Sequence, residues 1–230
     1  MSASLSRRMT AEFLGTGLLV AAVVGSGIMA GRLAGGNAAI ALLANTIATG
    51  AALIALILAL GPISGAHLNP VVTLADAIDG ALARNEAAGY VAAQVFGGLA
   101  GTIAANAMFG LPMIEVSHRV RTGPEQWFSE LVATFGLILV IRGCSKSTKG
   151  AVAFGVGAYI TSAYWFTAST SFANPAVTIA RALSDTFAGI RPADVPEFVV
   201  AQFAGGIGAA MLLRWLAAEV TEAVKDARHS

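Results

Sequence analysis

The sequence predicts an all-α membrane protein: six spans and two re-entrant half-helices, set in two inverted repeats within a single domain of residues 1–230. Three observations predict it. The 230 residues are 56% hydrophobic and only 12% charged, where a soluble domain carries roughly 25% charge; mean hydropathy is +0.73, and apolar runs long enough to cross a bilayer recur along the chain. A short segment built on Asn-Pro occurs twice. The spans around each copy carry the same polar residues at matching places.

The first span, 11–30, follows Arg7 and Arg8 and carries Glu12. Its apolar run is too long and too rich in glycine for a secretory signal, and no cleavage site is evident, so it reads as a retained span. The second span is 38–60. Next comes Ser64-Gly65-Ala66-His67-Leu68-Asn69-Pro70-Val71-Val72-Thr73. Asparagine caps a helix, and proline at the first helical position gives up an N–H that had no partner anyway. A helix over about 69–80 follows, too short for a hydrocarbon core of about 30 Å. The third span, 87–109, carries Gln94; the fourth, 125–143, carries Glu130; the fifth is 150–168. The second short helix, about 174–184, starts at Asn174-Pro175-Ala176-Val177-Thr178, and the last span, 195–217, carries Gln202.

The flanks repeat as well. Ala11-Glu12-Phe13-Leu14-Gly15-Thr16 matches Ser129-Glu130-Leu131-Val132-Ala133-Thr134, and the stretch around Gln94 matches that around Gln202. Residues 1–110 and 111–230 each read as Glu-bearing span, span, half-helix, Gln-bearing span. Three full crossings per half turn the second half upside down, which brings equivalent elements to a common central level. The half-helices then meet amino end to amino end, where irregular backbone must be buried or line a water-filled cavity.

Cations set the orientation. Arg7, Arg8, Arg84, Arg142, Lys146, Lys149, Arg214, Lys225 and Arg228 fall on one side, and Arg32, Arg119, Arg121 and Arg191 on the other. That asymmetry predicts both termini in the cytoplasm, and thus a multi-pass protein of the cell inner membrane. The bilayer is therefore its first partner. A net charge of +1 with no basic block excludes nucleic acid. One cysteine, Cys144, and three scattered histidines supply no metal site, no cofactor site and no catalytic constellation.

Asn69 and Asn174 each offer two amide donors. Where two half-helices meet, those donors face a lumen rather than their own helix ends, and orient a passing water or hydroxyl oxygen. Each helix start adds roughly half a positive elementary charge, which opposes cations but not neutral solutes. Glu12 and Glu130 are costly inside apolar spans. They either brace the loops or couple transport to protons. His67 is either a titrating gate or a hydrogen-bonded loop residue.

These residues identify a resemblance. Ser64-Gly65-Ala66-His67-Leu68-Asn69-Pro70-Val71, Ala173-Asn174-Pro175-Ala176 and the Glu12/Glu130 and Gln94/Gln202 pairs resemble the aquaporin, or major intrinsic protein, family along nearly the whole chain. The resemblance implies a passive channel, not an enzyme, with one pore per subunit of a homotetramer. It implies a constriction at Asn69-Pro70-Val71 and Asn174-Pro175-Ala176, with Val71 adding bulk where most members have alanine. Glu12 and Glu130 would take hydrogen bonds from the re-entrant loops, with His67 as further loop support. The family's four-residue selectivity filter maps by offset onto Thr49, Ser162, Ser171 and Val177, the last in place of a usual arginine. A filter without bulk or fixed charge would pass water, glycerol and other polyols, urea-like solutes and arsenite-type metalloid hydroxides. Val-bearing bacterial relatives, similar in Asn174 to Arg181 and in Thr186-Phe187-Ala188-Gly189-Ile190, are associated with metalloid movement. Arg181 lies four residues beyond Val177 on the same helix face. It is a candidate mouth cation that would make the pore water-selective, unless it pairs elsewhere.

Overall fold

The computed structural model describes residues 3–148 and 150–226, with side chains to Leu216. Lys149 and Arg228 of the orientation tally lie outside the described residues, as does the Lys225 side chain. Eight α-helices and one 3₁₀ turn are described: α1 Leu5–Leu33, α2 Ala38–Ser64, α3 Pro70–Ile78, α4 Arg84–Met108, α5 Pro124–Ser145, α6 Ala151–Phe166, α7 Pro175–Arg181, the 3₁₀ turn Pro192–Asp194 and α8 Val195–Asp226. Each expected span and half-helix has its helix. The half-helices are shorter than expected, while α1 starts six residues earlier than the apolar run and α8 continues to Asp226.

Five helices (α1, α2, α4, α5 and the 3₁₀ turn with α8) are long and apolar enough to cross a membrane. Helix α6 has 16 residues, about 24 Å at 1.5 Å per residue. Extended backbone at Thr167 ends it, so the connection toward α7 starts early. Helix α2 runs through Pro62 into a left-handed Gly65. Pro62 has no N–H to give the Leu58 carbonyl and its ring crowds that carbonyl, so the helix loses one bond in the turn before it ends.

Helix α1 packs on α4 and α2, α5 on α8 and α6, and α2 on α6. Small residues set these crossings, as expected where no water drives helices together. A Cβ at Gly97 of α4 would collide with the Phe13 carbonyl of α1, and one at Gly205 of α8 with the Leu131 carbonyl of α5. The two collisions are equivalent: Phe13 follows Glu12, Leu131 follows Glu130, and each glycine lies three residues beyond its glutamine. Arg8 Nη2 meets Glu86 Oε1 at 2.6 Å and ties the starts of α1 and α4.

Candidate functional site

Both re-entrant loops are braced from behind by a glutamate. Glu12 Oε1 accepts from Ser64 Oγ at 2.6 Å and from the His67 N–H at 3.0 Å; Oε2 accepts from the Leu68 N–H at 2.7 Å and Gln94 Nε2 at 2.8 Å. Glu130 repeats the pattern with Ser169 Oγ at 2.6 Å, the Phe172 N–H at 2.8 Å, the Ala173 N–H at 2.8 Å and Gln202 Nε2 at 2.6 Å. Both glutamates are fully buried. Four donors saturate each carboxylate, the condition under which a buried charge is tolerated. Each glutamine also donates to a threonine of its half-helix, Gln94 to Thr73 and Gln202 to Thr178, both at 2.9 Å.

The carboxylates hold backbone that is otherwise unfavourable. Ala66 (φ 47°), Leu68 (φ 50°), Thr170 (φ 63°), Ser171 (φ 50°) and Ala173 (φ 49°) are left-handed without being glycine, at roughly 1–2 kcal/mol each. Ser64 and Ser169 both lie five residues before their asparagine. Aligning the copies on asparagine makes that match legible in the sequence.

The asparagines do more than face a lumen. Asn69 Oδ1 accepts from the Val71 N–H at 2.9 Å, and Asn174 Oδ1 from the Ala176 and Val177 N–H groups at 3.0 and 3.3 Å, so each caps its own helix. Each Nδ2 then crosses to the opposite loop: Asn69 donates to the Ala173 carbonyl and Asn174 to the Leu68 carbonyl, both at 2.7 Å. Since an amide has two N–H donors, one per asparagine is left for the cavity. Each asparagine caps its helix as the sequence predicts, through its oxygen, whereas of the two donors expected at the lumen one holds the opposite loop instead.

One continuous cavity of about 250 Å³ passes both asparagines. Leu19, Val23, Leu53, Val72, Leu137 and Val156 form apolar walls. Pro70, Val71, Pro175 and Ala176 are buried but do not line it. The added bulk of Val71 packs away from the constriction, beside Ile138, Ala209 and Ala210. Among the half-helix valines, Val72 and Val177, each three residues beyond an asparagine, are the ones that reach the lumen.

Toward the α4–α5 connection the cavity is lined by Thr49, Ser171, Val177, Tyr164 and Arg181. Ser162 is not among them: it is exposed, and its hydroxyl donates back to the Tyr159 carbonyl at 2.7 Å. A fixed offset from Asn174 assumes a fixed connection length. Here α6 runs to Phe166 and only residues 167–174 separate it from α7, so the lumen face is Val156, Ile160 and Tyr164 at helical spacing. The Tyr164 hydroxyl lies 3.2 Å from Thr49 Oγ1, and Ser171 Oγ has no partner among the described residues. The cavity at the level of Thr49 therefore has aromatic bulk. It also has a cation nearby. Arg181 Nε donates to the Ala188 carbonyl, and its guanidinium carbon lies 3.3 Å from the Phe172 ring centroid. Its pairing with that carbonyl and its place on the lumen are thus compatible.

At the other mouth His67 is hydrogen-bonded through both ring nitrogens, Nδ1 to Thr73 Oγ1 at 3.1 Å and Nε2 to Asp76 Oδ2 at 3.0 Å. Gln94 Nε2 also donates to Thr73 Oγ1 at 2.9 Å, so the Thr73 hydroxyl links the ring to the glutamine behind the loop. Arg142 meets Asp76 at 2.8 Å and Asp79 at 2.7 Å. His67, Asp76 and Arg142 all line the cavity. Cys144 is half-buried and does not line it.

The comparisons with known proteins agree with this geometry. The family model described as major intrinsic protein matches residues 1–151 and 143–229. The chain is 58% identical over 212 residues to aquaglyceroporin AqpS of Rhizobium meliloti (strain 1021), covering 92% of this chain and 91% of that protein. It is 31% identical over 248 residues to the probable aquaporin AqpM of Archaeoglobus fulgidus, covering 95% and 100%. The X-ray structure of the aquaglyceroporin from Plasmodium falciparum superposes with a TM-score of 0.73 at 22% identity, over 90% of this chain and 95% of that one; it supports the fold. With two matched half-helices, two saturated glutamates and a cavity running between them, the chain belongs to the major intrinsic protein family.

Proposed function

We propose that the chain is a passive channel for water and small neutral solutes, namely glycerol and other polyols, urea-like amides, and arsenite-type metalloid hydroxides. The observation that carries this reading is the cavity itself. Apolar walls face a central pair of asparagine donors and two helix starts, a combination that guides a hydroxyl-bearing neutral solute and opposes cations. Val177 leaves one wall of the filter level apolar, with the Thr49, Tyr164 and Ser171 hydroxyls on others. The similarity to a protein named an aquaglyceroporin points the same way. The cation asymmetry supports an inner-membrane protein with cytoplasmic termini, which puts the mouth at Arg142 inside. Family membership supports a homotetramer with two inverted halves, 1–110 and 111–230.

Proton coupling through Glu12 or Glu130 is disfavoured, since each carboxylate is already saturated by four donors. Stopped-flow swelling of proteoliposomes tests the proposal, with water, glycerol and a neutral metalloid acid as solutes. Flux that is linear in concentration and indifferent to proton gradients is expected; saturation would replace the channel with a carrier. The second reading is a water-selective pore, favoured by Arg181 on the cavity wall. Under the proposed reading, Arg181→Ala speeds glycerol by about threefold or less. A rise of tenfold or more would establish the water-selective alternative. Tyr164→Ala is expected to speed glycerol several-fold by removing the ring from the filter level, as a pocket side chain of that size commands on the order of tenfold. Unchanged entry would place the limiting step elsewhere.

A further inference from the structure

We infer that Arg121, on the α4–α5 connection, is a positioning residue that sets the solute selectivity of the adjacent mouth by holding Arg181 in place. The inference rests on the cavity near Arg181 being the solute path. Arg121 is only 7% exposed. Its Nε donates to the Gly189 carbonyl at 2.8 Å, Nη1 to the Ser169 carbonyl at 3.3 Å and Nη2 to the Phe187 carbonyl at 3.4 Å. Ser169 precedes α7 and residues 187–189 follow it, so one guanidinium clasps both flanks of the half-helix. The fork of fixed N–H donors makes this possible; an ammonium lacks that planar spread.

The same flanks carry everything that orients Arg181. Ala188, whose carbonyl takes Arg181 Nε, lies between Phe187 and Gly189. Phe172 lies under the Arg181 guanidinium at 3.3 Å and under that of Arg121 at 4.9 Å. The connection is itself laid along the segment after α7, with Ser117 N–H to the Ala182 carbonyl at 2.9 Å and Arg191 N–H to the Arg119 carbonyl at 2.7 Å. Asp194 Oδ2 fixes the Arg121 backbone N–H at 2.9 Å.

The placement is expensive for a merely structural residue. Among the described residues no carboxylate pairs with the Arg121 guanidinium, and a buried cation without a counter-ion carries several kcal/mol of desolvation. A second cation, Arg181, meets the same ring. The fold accepts both because together they fix where the mouth cation stands.

The test is a double-mutant cycle in proteoliposomes, reading the glycerol-to-water permeability ratio, which is independent of how many channels insert. Arg121→Lys is expected to raise the ratio by about twofold, within the change that Arg181→Ala itself makes, and to raise it no further in an Arg181→Ala background. Asp194→Asn loosens the connection from outside the cavity and is expected to act in the same direction, with the same dependence on Arg181. It decides the matter if Arg121→Lys does not fold. An unchanged ratio, or effects that multiply with Arg181→Ala, would overturn the inference. If the wild-type channel passed water alone, the solute reading would fail, while Arg121 would still be judged by whether its replacement admits glycerol.

Discussion

Glu130→Gln is expected to reduce water and solute flux at least tenfold and to destabilise the protein by about 3 kcal/mol, the scale of hydrogen bonds to a buried charge lost together. The reason is the geometry of donors. On one oxygen stand Ser169 Oγ and the Phe172 N–H, and on the other the Ala173 N–H and Gln202 Nε2. Ser169 can turn its hydroxyl, and Gln202 can turn its amide, since its Oε1 has no partner among the described residues. A backbone N–H cannot turn. Whichever way the substituted amide is placed, its amino group faces Phe172 or Ala173, and one buried donor is left unmatched. The left-handed run at 170, 171 and 173 then loses its restraint, and with it the Asn174 end of α7. Flux and thermal unfolding in detergent check this; wild-type values for both would mean that the loop supports itself.

Val177→Arg is expected to cut glycerol entry at least tenfold, about 1.4 kcal/mol, while water falls much less. Val177 presents an apolar wall to the cavity, one helical turn from Arg181. A guanidinium there takes volume that a three-carbon solute needs and adds five donors, and the like charge four residues away pushes both cations toward open space. Water needs neither the volume nor the apolar wall. Stopped-flow measurements on both solutes decide it. Equal slowing would show that the substitution blocks the pore, and no slowing of glycerol would remove Val177 from the solute path.

Much of this is legible in the sequence because the chain states it twice. A lone Asn-Pro or a lone intramembrane glutamate carries little meaning; two copies in matched flanks identify half-helices, loop braces and their glutamines together. The apolar runs place a helix at each of the six expected spans, five of them long enough to cross a membrane, with α8 running nine residues past its expected end. What resists reading depends on the length and path of irregular backbone. Ser162 comes from counting through a connection whose length no periodicity reveals, and Tyr164 stands there instead. Val71 reads as constriction bulk, yet an Asn-Pro pattern does not say which side of a one-turn helix start faces α8. Arg121 looks like one of four loop cations, because its partners are carbonyls, which leave no mark in a sequence. The Asp76–Arg142 pair joins elements 66 positions apart.

The crossed asparagine bonds have a bearing on assembly. Asn69 donates to the Ala173 carbonyl and Asn174 to the Leu68 carbonyl, so each half of the chain caps its own half-helix but relies on the other half to hold its asparagine amide. The pore is a mutual product, with no seed that one half could form and hand on. A nascent chain that has delivered only its first half to the bilayer holds a half-helix end in waiting, with a buried donor and carbonyl awaiting partners not yet made. Cutting the chain between α4 and α5 should therefore give two fragments that conduct only when produced together, with the join restored by four atoms at the centre rather than by the missing peptide bond.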